Sequence, residues 1–176
     1  MSAEPDSSIS LTTNVVTAGA YSIPEVQRLV ATLVASKPGG RIAEIGTSYG
    51  DGARAIVAAL PAGATFVTVE LDPERASQAR EALAGTQAEV LEGDWRDHLP
   101  QRAPFDAVFA DGGVGYDEVV DLLAPGGIVV KDDLTPGRPI EGDATREALL
   151  LDPRLEATEI LVTPEMACIV GVRRSS

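Results

Sequence analysis

Cysteine, histidine and aromatic residues are nearly absent from this chain. Its single cysteine, Cys168, can form no internal disulfide, which agrees with a reducing compartment. Aromatics make up 4% of the 176 residues, so the core has to come from aliphatic side chains. Positive charge is scarce as well: 14 Lys and Arg stand against 27 Asp and Glu, a formal net charge of −13. Nucleic-acid binding draws most of its affinity from cations that neutralise phosphates, so a nucleic-acid partner is disfavoured, and an anionic membrane surface with it. No window has the length and apolarity of a membrane span. The opening MSAEPDSSISLTT carries no basic stretch ahead of an apolar core, so a cytoplasmic location is expected.

What is present is a globular composition, 44% hydrophobic and rich in Ala and Val, without repeats or low-complexity tracts. A chain of this size can bury about two thirds of its unfolded surface in one core. Residues 1–20 show no strong period and are expected to form a flexible N-terminal arm; residues 21–176 are expected to form a single domain.

Ser22-Ile23-Pro24-Glu25 has the form of a capping box, with Tyr21 and Val26 placed for a hydrophobic staple. Ile23, Val26, Leu29, Val30, Leu33 and Val34 then share one helical face, and KPGG ends the helix. Strands and helices alternate from there. Strands are expected at 41–45, 65–70, 88–91, 105–110 and 127–130, and helices at 52–60, after Asp72-Pro73, around Val119 to Leu123, and at 143–151. The strands are short apolar runs, as expected where helices cover both faces of a parallel sheet. Residues 155–162 and 166–172 are separated by Thr163-Pro164-Glu165 alone, too few for a parallel crossover, so they must pair as an antiparallel hairpin. The expected fold is α/β: a three-layer, Rossmann-like domain with a mostly parallel seven-stranded sheet and a C-terminal antiparallel β-hairpin.

Ligands of open parallel sheets bind beyond the carboxyl ends of the strands. Those ends carry Glu44-Ile45-Gly46, Glu70, Gly93-Asp94-Trp95, Asp111 and Asp132-Asp133. After the first strand, RIAEIGTSYGDG places Gly46, Gly50 and Gly52 in a turn that opens a helix, where glycine lets backbone approach a ligand. A dinucleotide fingerprint would need glycine where Ser48 and Asp51 stand, and a phosphate loop would need a Gly-Lys-Ser/Thr ending that is absent.

Glu44, Gly46 and Gly50 spell E-x-G-x-x-x-G, which resembles motif I of class I S-adenosylmethionine-dependent methyltransferases. The resemblance implies that S-adenosyl-L-methionine is the cofactor. It also implies that Thr47 and Ser48 contact it, that Glu70 takes the ribose hydroxyls with Leu71 beside it, and that Asp94 takes the adenine with Trp95 packed on the ring. FDAVFAD followed by LLAPGGIVVKDDL is similar to the divalent-metal-dependent O-methyltransferases, the group that includes the catechol and caffeoyl-coenzyme A enzymes. There an Asp ends strand four and an Asp-Asn pair follows strand five. The matching residues are Asp111, Asp132 and Asp133, implied ligands of Mg²⁺ or another divalent cation, with Asp111 also at the cofactor and the reacting atoms.

Two departures stand out. Asp133 replaces an Asn, which makes the site more anionic. The family's lysine shortly after the strand-four Asp has no counterpart in Asp111-Gly112-Gly113-Val114-Gly115. The general base therefore stays open: His98, the only histidine, is one candidate, and Lys131 is expected to point away from Asp132 by strand alternation. Metal coordination could instead lower the hydroxyl's pKa. A small hydroxylated, catechol-like acceptor follows from the resemblance, and a homodimer is an expected way to cover an open pocket. The alternatives are transfer to nitrogen, or a catalytically silent protein that binds the cofactor or its product.

Overall fold

In the computed structural model, residues 22–112 and 115–175 are described; the expected arm at 1–20 and Tyr21, half of the expected staple, lie outside them. A seven-stranded sheet runs through the molecule in the order β3-β2-β1-β4-β5-β7-β6. The strands are β1 (Arg41–Ile45), β2 (Thr65–Glu70), β3 (Ala88–Glu92), β4 (Phe105–Ala110), β5 (Leu123–Leu134), β6 (Leu155–Thr163) and β7 (Met166–Arg173). The first five pair in parallel, and β7 pairs antiparallel with both β5 and β6, as the three-residue connection requires. The helices are α1 (Pro24–Ala35), α2 (Asp51–Ala59), α3 (Pro73–Ala82), α4 (Trp95–His98), α5 (Tyr116–Asp121) and α6 (Ala144–Leu150).

The sheet separates two cores. On one side α1 and α2 pack Val26, Val30, Val34, Ala53 and Ile56 against Ile42, Phe66, Phe109, Val130 and Cys168. On the other, α4, α5 and α6 pack Trp95, Leu99, Tyr116, Val119, Val120 and Leu149 against Ala43, Val67, Val108, Val129 and Ile169. Alternate strand residues fall into opposite cores: Ile42 and Ala43 on β1, Ile128 and Val129 on β5.

Two local expectations differ from the structure. Ser22 does not cap α1; Ile23 stands at the N-cap with no side-chain bond, and Pro24 starts the helix with its preset φ. The Ser22 hydroxyl instead donates to Asp132 Oδ2 at 3.4 Å, a buried contact that local pattern does not reveal. Strand β5 is also longer than 127–130. Leu123 pairs with Phe105 ahead of the Gly126-Gly127 turn residues, and Leu134 pairs with Ala167 beyond a bulge, so Asp132 and Asp133 lie inside the strand rather than after it.

Strand order reverses between β1 and β4: the chain runs outward through β2 and β3 before β4 returns to the other side of β1. In such sheets the crevice beyond this point is where a ligand fits.

Candidate active site

The loop after β1 hangs from the end of β2, with the N–H groups of Gly46 and Thr47 both donating to the Val69 carbonyl, at 2.9 and 3.3 Å. Gly46, at φ +90°, passes against Asp111 where a β-carbon would overlap the Asp111 carbonyl. Gly50, at φ +91°, caps α2 in the left-handed region that favours glycine.

Glu44 lies beneath this loop rather than on it. It is 1% exposed and accepts the Thr68 hydroxyl at 2.6 Å, while Thr68 Oγ1 is 2.5 Å from Thr47 Oγ1. Burial pushes the Glu44 carboxyl up to about 8, against the pull of the Thr68 bond. The buried carboxyl is linked to the loop from below through the Thr68 and Thr47 hydroxyls. Thr68 escaped the sequence reading, yet it had a signal: a polar residue in the apolar run TFVTVE, in register with Glu44 on the neighbouring strand.

Glu70 closes β2 with its carboxylate tied to two backbone donors, Ser48 N–H at 2.7 Å and Asp72 N–H at 3.0 Å. It thereby bridges the first loop to the start of α3, and Arg75 stands 3.5 Å away. Leu71, next in the chain, is 71% exposed at the rim. Asp94 caps α4 by accepting from Arg96 N–H at 2.9 Å. Trp95 does not present a free ring: it is buried in the α4–α6 core, and the Arg96 guanidinium lies 4.6 Å over it. An apolar indole gains more from that core than from a solvent-facing cleft. His98 turns back onto β3, its Nε2 3.0 Å from the Glu92 carbonyl oxygen. Strand β3 is three strand spacings from β4, about 14 Å, so the imidazole is not beside Asp111. The expected catalytic role of His98 therefore finds no geometric support.

The acids of β4 and β5 do converge. One carboxylate oxygen from each of Asp111, Asp132 and Asp133 lies within 4.8 Å of the others. Burial first, and neighbouring carboxylates second, hold Asp111 and Asp132 above the ordinary carboxylate range; the Lys131 ammonium pulls both back. Asp132 Oδ1 is buried and has no hydrogen-bond partner among the described residues. An all-oxygen set with an orphaned buried carboxylate oxygen has the chemistry to take a hard divalent cation. Asp133 holds a left-handed φ of 58° at the β5 bulge, which turns its side chain out of the strand's alternation.

Lys131 follows the expected direction away from Asp132 at its Cβ but not at its ammonium. Alternation does place its Cβ on the α4–α6 side, but the ammonium returns to within 3.6 Å of Asp132 Oδ1, with the side chain 7% exposed. A four-carbon stem reaches well past the direction its Cβ sets. Arg146 is a further buried cation that sequence reading missed; it donates to Glu159, Asp143 and the Thr135 carbonyl, anchoring the segment that follows Asp133.

Glycine loop, strand-end acids and terminal hairpin define a Rossmann-like domain of the class I S-adenosylmethionine-dependent methyltransferase type. The chain belongs to the methyltransferase domain family, whose model matches residues 43–134, just over half of its length. Among solved structures it resembles the O-methyltransferase from Bacillus cereus in complex with SAH, at a TM-score of 0.73 and 22% identity over 89% of this chain and 84% of that one. Cofactor-bound Rv0187 from MTB follows at a TM-score of 0.72 and 24% identity, covering 89% of this chain and 83% of that one. These likenesses speak for the fold. The protein-L-isoaspartate O-methyltransferase of Methanopyrus kandleri is 29% identical over 115 residues, 62% of this chain and 51% of that protein. That of Gloeobacter violaceus is 43% identical over 74 residues, 40% of this chain and 35% of that protein. The chain thus spans about half the length, or less, of the curated relatives it matches. No helix among the described residues is long and apolar enough to cross a membrane.

Proposed function

We propose that this chain transfers the methyl group of S-adenosylmethionine to an oxygen of a small hydroxylated, catechol-like acceptor, with Asp111, Asp132 and Asp133 holding a divalent cation such as Mg²⁺. The observation that carries this reading is the buried Asp132 Oδ1, without a hydrogen-bond partner among the described residues, in a three-carboxylate cluster next to the glycine loop. On the cofactor side, Glu70 would exchange its backbone donors for ribose hydroxyls, and Leu71 and Asp94 would border the adenine. Asp111 stands against Gly46, so acceptor oxygen and methyl group would meet at one strand end, aligned for in-line attack. Alignment of this kind contributes up to roughly 7–11 kcal/mol in favourable cases. A bound divalent cation would lower the pKa of an acceptor hydroxyl. No strong base is then required, which agrees with the missing lysine after Asp111 and with the distance of His98.

Calorimetric titration with S-adenosylmethionine, with and without Mg²⁺, tests this together with methyl transfer to a catechol. Cofactor binding and Mg²⁺-stimulated turnover are expected. Absence of cofactor binding overturns the reading, and binding with no transfer to any acceptor favours a silent sensor. A second reading comes from the name of the curated relatives: an isoaspartyl carboxylate of a protein as acceptor. Three acids at the acceptor end repel an anion, so that reading depends on the cation more heavily; an isoaspartyl peptide assayed beside the catechol separates the two.

A further inference from the structure

We infer that Lys131 is a built-in counter-charge that sets how tightly the Asp111, Asp132, Asp133 cluster holds a divalent cation. The inference rests on the cation reading above and adds to it a positioning residue outside the ligand set. The ammonium stands 3.6 Å from Asp132 Oδ1, with the two side chains 7% and 1% exposed. An ammonium this deep must face negative charge, because desolvating it alone is costly. It does not take up the oxygen, however. A separation of 3.6 Å is beyond hydrogen-bond reach, and Oδ1 has no hydrogen-bond partner among the described residues. The lysine therefore supplies charge while leaving the lone pairs of Oδ1 open. From the opposite side the Ser22 hydroxyl holds the other oxygen, Oδ2, at 3.4 Å.

The charge count follows from the same residues. With all three carboxylates ionised, as ligation of a cation requires, they contribute −3, and one ammonium brings the cluster to −2, equal and opposite to a single divalent cation. Without Lys131 the loaded site would keep an excess negative charge, and a cation would be drawn in more strongly. The lysine thus trades affinity for neutrality, which favours a cation that can exchange.

Calorimetric titration of Mn²⁺ into the wild type, Lys131→Met, Lys131→Gln and Lys131→Arg tests this, with circular dichroism as the check on folding. Mn²⁺ should bind at least about tenfold more tightly to the Met and Gln variants and with near wild-type affinity to the Arg variant, as a fixed charge a few ångströms away predicts. The metal-induced rise in unfolding temperature should grow in the same order. Should Lys131→Met fail to fold, Lys131→Gln carries the same comparison. Equal or weaker affinity in the charge-removed variants overturns the role of Lys131 while leaving the cation site standing. No binding in any variant removes the cation reading and this inference together. Asp132→Ala, which removes both oxygens, serves as the control: wild-type affinity that survives it lies elsewhere and counts against both.

Discussion

Gly46 passes so close to Asp111 that a β-carbon there would overlap the Asp111 carbonyl oxygen. The two halves of the site share this contact, reinforced by the Asp111 N–H donating to the Ile45 carbonyl at 2.9 Å. A side chain at Gly46 is opposed twice, by the collision and by φ +90°. Gly46→Ala is expected to destabilise the fold by at least about 2 kcal/mol and to weaken cofactor binding. Thermal unfolding and titration with S-adenosylhomocysteine check this; wild-type values for both would show that the loop can move aside.

The raised pKa of Glu44 makes stability depend on pH in a defined direction. Between its ordinary value of 4.5 and about 8, the folded protein holds a proton that the unfolded chain has released. Fewer protons on the unfolded state mean that stability falls as pH rises through this window. Asp111 and Asp132 are shifted in the same direction and add to the slope. Glu44→Gln keeps the shape without the titration, so its unfolding free energy should decline less from pH 5 to pH 8. Parallel curves for the two proteins would mean that Glu44 is ionised at neutral pH.

Gly46, Glu70 and Asp111 were legible because each ends a short apolar run, Glu44 because it is an acid one residue inside such an end, and the hairpin because three residues cannot make a crossover. The strand order was not written in any local pattern. It decides that His98 lies at the far edge while Asp111 lies beside the glycine loop. Long-range pairing hid the rest. Ser22 has the local form of a cap yet bonds Asp132, and Lys131 follows alternation at its Cβ yet brings its charge back to the acids. The fate of Trp95 was likewise set at long range, by the core it shares with Val119, Val120 and Leu149.

Asp133 combines a ligand position with a left-handed backbone, φ 58°. Asp and Asn tolerate that conformation, glycine favours it and β-branched residues resist it. Asp133→Gly should keep or slightly raise the unfolding temperature while weakening divalent-cation binding, and Asp133→Asn should fold normally with intermediate affinity. Asp133→Val should lose about 1–2 kcal/mol of stability as well. A manganese titration beside thermal unfolding separates ligand loss from strain. If Asp133→Gly binds Mn²⁺ as the wild type does, Asp133 is no ligand.

Arg146 joins three pieces of chain through one guanidinium that is 1% exposed. Its Nε and Nη2 donate to the two oxygens of Glu159 at 2.7 and 3.0 Å, Nη1 to Asp143 at 2.6 Å, and Nη2 also to the Thr135 carbonyl at 2.8 Å. A planar fork makes these bonds at once, which a lysine cannot reproduce. Arg146→Met would leave Glu159 and the Thr135 carbonyl without this donor, while Asp143 keeps the backbone N–H of residue 146 at 3.2 Å. Glu159 and Asp143 keep 24% and 20% exposure, so water recovers part of the loss. A cost of about 2–3 kcal/mol is expected, below that of a fully buried pair, with Arg146→Lys nearly as damaging. Because Thr135 lies two residues after Asp133, the freed segment should also loosen the acid cluster and lower its cation affinity. Urea unfolding reads the first effect and manganese titration the second. A variant that loses stability but keeps wild-type cation affinity would confine Arg146 to the fold.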